Sequence, residues 1–183
     1  MLQLLYFVTS YLIGTFMTAH FIGKWYGVNL QQANSGNLGA RNAGRTFGKL
    51  SFFLTVIGDG GKGLIVVLLG RYLDVSDFTL TVGILFVVLG HLYPFWLKFK
   101  GGKGIATGIG ALLAFSPSLL LALIAGFIVS LPFTKSLTLS MVIGFFTYSL
   151  YIFLTGKIEL LLLIVMLLLL TFKHRENLRE RLK

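Results

Sequence analysis

The chain contains no cysteine, which excludes disulfides, thiolate metal sites and a cysteine nucleophile. Acidic residues are scarce as well. Six Asp and Glu face 16 Lys and Arg in 183 residues, and Asp59, Asp74 and Asp77 are the only aspartates. A site that gathers divalent metal through several aspartates has little to draw on. Charge of either sign is thin: 12% of residues are charged and 56% are hydrophobic, with a mean hydropathy of +0.87. Soluble domains carry about 25% charged and about 45–50% apolar residues, so that class is excluded. The opening stretch MLQLLYFVTSYLIGTFMTAHFIG lacks the basic region and small-residue cleavage site of a signal peptide and is expected to be a retained first span.

Apolar runs occupy 2–22, 50–70, 79–97, 105–116, 118–133, 137–155 and 158–172. Bilayer-crossing helices need about 20 apolar residues. The pattern predicts an all-α polytopic membrane protein: a single domain over 1–183 built as a seven-helix bundle. The fourth and fifth runs are short and separated by Ser116, Pro117 and Ser118. They fit either two tilted spans or one re-entrant hairpin, and both return the chain to the same side. All basic residues except Lys62, Arg71 and Lys157 fall in one set of loops and the C-terminal tail. Lys and Arg resist translocation, so that side is expected to be cytoplasmic, with the N-terminus outside and the C-terminus inside. Asp74, Asp77 and Glu159 then lie outside. The net charge of +10 is accounted for by this asymmetry and by anionic lipid, and no nucleic-acid partner is expected.

Four polar clusters interrupt the apolar pattern. The first, NSGNLGARNAGRTFGK, spans Asn34 to Lys49 and combines Ser35, Asn37, Asn42 and Arg45 with Gly36, Gly39 and Gly44. Small residues let backbone N–H groups approach an anion, and arginine offers a planar fork that matches phosphate. The second, GDGGKG, sits inside an apolar run, and Asp59 and Lys62 share a helix face three residues apart. Charges in lipid are costly and usually face the bundle interior, either as functional groups or as a structural pair among packing glycines. A nucleotide-binding P-loop is a poor match, because Gly63 rather than Ser or Thr follows Lys62 and Val56 replaces the first glycine. The third, KFKGGKG, carries Lys98, Lys100 and Lys103 with Gly101, Gly102 and Gly104, and Thr107 and Gly108 open the next helix. Lysine charge, exposed backbone donors and a helix start are the parts of a phosphate site. Just upstream, GHLYP places His91 in a span. The fourth, KHRENLRERLK, puts His174, Asn177 and Arg181 on one helical face, with Leu178 and Leu182 as surface anchors. These clusters are expected to meet near the cytoplasmic face as an anion site.

In this order and spacing, SGNLGARN…GR, GDGGKG, GH…P, KFKGGKG.ATG and HREN resemble the bacterial acyl-phosphate:glycerol-3-phosphate acyltransferases, the PlsY family. The likeness runs from about Tyr11 to Arg181. It implies a multi-pass enzyme of the cytoplasmic membrane that moves an acyl group from acyl-phosphate to the sn-1 hydroxyl of glycerol 3-phosphate. Lysophosphatidic acid and phosphate would be the products, in the first step of bacterial phospholipid synthesis. It implies that no metal is required; no cofactor is expected, and the chain is expected to be a monomer. Arg45, Lys103 and Lys62 are then expected to hold phosphates, with Asp59 and Thr107 in the same cavity. Gly101, Gly102 and Gly104 match the family's glycerol-phosphate-binding stretch. Ser35 and Asn37 orient the donor, with Gly36, Gly39 and Asn42 around them. His174 or a substrate phosphate oxygen takes the hydroxyl proton, and Glu176 and Asn177 position either His174 or the incoming alcohol. The His-x4-Asp pair of other glycerolipid acyltransferases is absent, since Trp25, Trp96 and Arg179 stand five residues after the three histidines. Two positions depart from the family pattern: Arg41 replaces a common threonine and Lys173 a common arginine. A membrane transporter of a phosphorylated or lipid anion is the rival reading, and a CDP-alcohol phosphotransferase is disfavoured by the shortage of aspartates.

Overall fold

The computed structural model describes residues 1–156 and 160–181, and regular structure there is entirely helical. Ten α-helices follow in order: α1 Leu2–Thr15, α2 Thr18–Trp25, α3 Ala40–Phe47, α4 Lys49–Tyr72, α5 Asp77–Leu92, α6 Ile105–Phe115, α7 Pro117–Thr134, α8 Leu137–Thr155, α9 Leu161–Lys173 and α10 Arg175–Arg181. Caps explain several boundaries. Ser76 accepts from the Thr79 N–H at the start of α5, and Ser136 from that of Leu139 at the start of α8. Pro117 opens α7, where no intrahelical N–H is required. Gly156, at φ 65°, ends α8 in the left-handed conformation. The placements expected for Lys157, Glu159, Leu182 and Lys183 lie outside the described residues.

Five helical stretches are long and apolar enough to cross a membrane: Leu2–Trp25, Lys49–Tyr72, Asp77–Leu97, Pro117–Thr134 and Leu137–Thr155. The polarity of the surface is inverted in the way lipid demands. Phe53, Ile57, Leu68, Phe133, Phe146 and Phe153 are exposed, while Ser10, Thr55, Asp59, Lys62, Thr81 and His91 are buried. One expectation needs correcting. The fifth run is not short, because α7 has 18 residues: its N-terminal proline starts the helix rather than trimming it. The break within the first run is a feature the sequence did not announce: Phe16 and Met17 adopt extended backbone between α1 and α2. The shorter apolar helices are Ile105–Phe115 and Leu161–Lys173.

The chain divides into two compact units, Met1–Ala114 and Phe115–Lys183. In the first, glycines set the helix contacts. Gly14 lies against the Val87 carbonyl and Gly90 against that of Tyr11, which joins α1 to α5. Gly63 lies against the backbone of Thr107 and Ala111, and Gly110 against Gly60, which joins α4 to α6. Added Cβ atoms at these places would collide with main chain, so small residues are what allow the close approach. In the second unit α7 and α8 form a hairpin. Gly126 faces Thr147, whose hydroxyl donates to the Ala122 carbonyl at 3.0 Å.

Candidate active site

The first unit assembles most of the polar residues singled out in the sequence. The 30–39 loop is gathered by one side chain. Asn42, buried on the inner face of α3, donates through its amide to the carbonyls of Leu30 (3.1 Å), Ala33 (3.0 Å) and Asn37 (3.0 Å). These bonds fix the amide orientation and use its donors within the loop. Asn34 and Gly36 take left-handed backbone (φ 48° and 65°) and flank Ser35, which is exposed. Gly39 precedes the first turn of α3, and Asn37 is half-buried beside it. Arg41 and Arg45, four residues apart, occupy the exposed face of α3 opposite buried Asn42 and Ala43.

The glycine-lysine stretch folds back on the end of α5. Gly101 donates to the Leu92 carbonyl and Gly102 to that of His91, at 3.2 and 3.1 Å. Lys98 and Phe99 are left-handed (φ 52° and 59°), which makes the reversal tight. A Cβ at Gly101 would strike the His91 carbonyl, and one at Gly102 would stand where His91 Nε2 lies. Gly104, at φ 83°, leads into α6. Lys103 is half-buried and Thr107 fully buried.

These two loops meet. Gln31 Nε2 donates to the Lys100 carbonyl at 2.9 Å. A pocket of about 400 Å³ between them is lined by Gln31, Gly36, Trp96, Lys98, Lys100 and Gly101, among others. The first and third clusters therefore converge, although 60 or so residues separate them. Gln31 and Trp96 were not singled out as site residues. Their part rests on bonds to main chain, Gln31 to Lys100 and Trp96 Nε1 to the Thr15 carbonyl at 3.1 Å, which no spacing rule reports.

The second cluster lies inside the helices. Lys62 Nζ reaches the carbonyls of Gly14 (2.8 Å) and Phe16 (2.6 Å) and His91 Nδ1 (2.7 Å), with Asp59 Oδ1 at 3.5 Å. Thr18 donates to the same Asp59 oxygen at 3.2 Å. An ammonium has three protons, and three acceptors take them. The geometry thus favours the internal role of Lys62 over the phosphate-holding one: it satisfies the carbonyls freed where the first span breaks. Among the described residues, no group of three or more His, Asp or Glu is placed to hold a metal ion.

In the second unit, His174 closes α9 and its Nδ1 donates to the Leu170 carbonyl at 2.8 Å. A carbonyl only accepts, so the neutral ring carries its lone pair on Nε2, the form a proton acceptor needs. Asn177 is half-buried and Glu176 exposed in α10.

The helical architecture, with five helices long and apolar enough to cross a bilayer, defines the class as an integral membrane protein. Residues 4–183 match the family model described as glycerol-3-phosphate acyltransferase. The chain is 46% identical over 129 residues to glycerol-3-phosphate acyltransferase 1 of Bacillus cereus (strain ATCC 10987), covering 70% of this chain and 71% of that one. It is 35% identical to the glycerol-3-phosphate acyltransferase of Geotalea daltonii over 97% of this chain and 93% of the other. The crystal structure of PlsY, an integral membrane glycerol 3-phosphate acyltransferase in its glycerol 3-phosphate form, superposes with a TM-score of 0.88 at 33% identity, covering 98% and 92% of the two chains. A second form of PlsY, with lysophosphatidic acid, gives 0.86 at 32% identity over 98% and 91%. The chain belongs to the glycerol-3-phosphate acyltransferase family.

Proposed function

We propose that this chain transfers a fatty acyl group from acyl-phosphate to the sn-1 hydroxyl of glycerol 3-phosphate, releasing lysophosphatidic acid and inorganic phosphate. The observation that carries the reading is the meeting of the 30–39 loop with the 98–104 loop around one pocket. The hydroxyl oxygen attacks the acyl carbonyl carbon, the bond from that carbon to the phosphate oxygen breaks, and phosphate leaves. The donor is already activated, so positioning and charge stabilisation can carry most of the catalysis. Arg45 and Lys103 neutralise phosphate, Ser35 and Asn37 orient the donor, and Gly101, Gly102 and Gly104, bare of side chains, let the acceptor approach the backbone. His174 Nε2, positioned by Asn177 and Glu176, or a substrate phosphate oxygen takes the proton. Arg41 adds a phosphate contact. If Arg41→Thr leaves both apparent affinities unchanged, that contact is removed from the scheme.

The protein acts as a monomer in the bacterial cytoplasmic membrane, with seven spans, the N-terminus outside and the site on the cytoplasmic side. The basic-residue asymmetry supports this orientation. The deciding experiment incubates purified protein in nanodiscs with glycerol 3-phosphate and either acyl-phosphate or acyl-CoA. Product from acyl-phosphate alone, undiminished by EDTA, is expected. Anion flux into liposomes without product would replace this reading with a transporter. Loss of one donor to developing charge lowers kcat by about 10²–10³-fold, so Arg45→Ala is expected to fall in that range while remaining folded.

A further inference from the structure

The buried Asp59–Lys62–His91 group touches both the break in the first span and the glycine-lysine loop. On one side Lys62 binds the Gly14 and Phe16 carbonyls, and Asp59 receives Thr18. On the other side His91 meets Gly102 twice: its carbonyl accepts the Gly102 N–H at 3.1 Å, and its ring lies where a side chain at 102 would be. The link between the two sides is the 2.7 Å contact of Lys62 Nζ with His91 Nδ1. Asp59, 3.5 Å from Lys62 and 3.9 Å from His91 Nδ1, favours the ammonium. Lys62 therefore donates, Nδ1 accepts, and the His91 proton sits on Nε2, the edge facing Gly102. All three residues are about 97% or more buried, so their contacts are with protein.

We propose that His91 is a positioning residue for the acceptor substrate: held by Lys62, its ring sets the height of the Gly101–Gly104 backbone that receives the glycerol phosphate. The inference rests on the acyltransferase reading for its kinetic arm only. Gly102 must be bare to admit the ring, and the ring in turn supports the backbone there. A misplacement of about 1 Å in such a support can cost as much as about 10²-fold in rate.

Two substitutions separate the edges of the ring. In His91→Asn the side-chain oxygen stands near the place of Nδ1, so Lys62 keeps its acceptor while the contact with Gly102 is withdrawn. In His91→Gln the amide nitrogen reaches toward the place of Nε2. With the full chain in nanodiscs, His91→Asn is expected to raise KM for glycerol 3-phosphate about tenfold or more while leaving KM for acyl-phosphate within about twofold. His91→Gln is expected to recover most of that loss. Parallel changes in both KM values, or a Gln variant no better than Asn, would overturn the proposal. A second readout needs no turnover. The chain lacks cysteine, so a spin label on Lys100→Cys reports the loop alone. Its spectrum is expected to become mobile in His91→Asn and to tighten again in His91→Gln. An immobile label in His91→Asn refutes the proposal. A loosened label in a protein that makes no lysophosphatidic acid would refute the enzymatic reading instead and leave the positioning role standing.

Discussion

At the scale of single residues, the site depends on side chains whose partners are main-chain carbonyls. Asn42 is the clearest case: one amide gathers three carbonyls of the 30–39 loop. Truncation to alanine removes these bonds, although the Leu30 and Ala33 carbonyls keep main-chain donors from Ala33 and Gly36, and a cost of about 1–3 kcal/mol is expected. Asn42→Ala is therefore expected to lower the denaturation midpoint of the purified protein by a corresponding amount and to loosen Ser35 and Asn37. Its membership of the polar cluster was legible in the sequence, but its task was not: the motif reads equally well as a set of ligand donors. Gln31 shows the reverse. Nothing near it in the chain marks it, because its partner, the carbonyl of Lys100, is 69 positions away. Gly36 and Gly104 could be singled out as small residues in a phosphate-like loop, while their positive φ angles became apparent only in the folded backbone.

At the scale of elements, the apolar runs located the long apolar helices but not α3 or α10, because a bilayer imposes length and composition together only on what lies within it. The break at Phe16–Met17 escaped that logic. No proline marks it, and its cost is met from elsewhere in the chain: Lys62 from α4 and Trp96 from the turn after α5 bond the carbonyls of Gly14, Phe16 and Thr15. A sequence reading sees the charge in α4 and the apolar run in α1, not the bond between them. The arrangement predicts an asymmetry. Lys62→Met strands two carbonyls and leaves the Asp59 carboxylate uncompensated, so a loss of about 3–5 kcal/mol is expected. Asp59→Asn leaves Lys62 its three other acceptors and should cost distinctly less. Thermal unfolding of the two variants in the same detergent measures the difference, and equal losses would show that the broken helix does not rely on Lys62.

At the scale of the whole molecule, the charge distribution is the basis of the proposed orientation. Lys98 and Tyr72 are both exposed and lie toward opposite ends of the polypeptide path through α5. In a protein without cysteine, Lys98→Cys and Tyr72→Cys can each be the sole thiol. A membrane-impermeant maleimide is expected to label the Lys98 variant only in inside-out vesicles and the Tyr72 variant only in intact spheroplasts. Labelling of both from one side would reject the assigned topology. The orientation proposed from the sequence rests on translocation responding to loop charge summed over many residues. The division into two compact units could not, since it depends on which helices share packed faces, and the apolar runs on either side of residue 115 look alike.

The chain has two tryptophans, Trp25 and Trp96. Trp96 lines the pocket, its indole tethered to the Thr15 carbonyl and its ring 5.0 Å from that of His20. Trp25→Phe would thus leave a single tryptophan, in the lining of the cavity. Its fluorescence should shift as glycerol 3-phosphate is titrated in, giving occupancy without an acyl donor, a radiolabel or a single turnover.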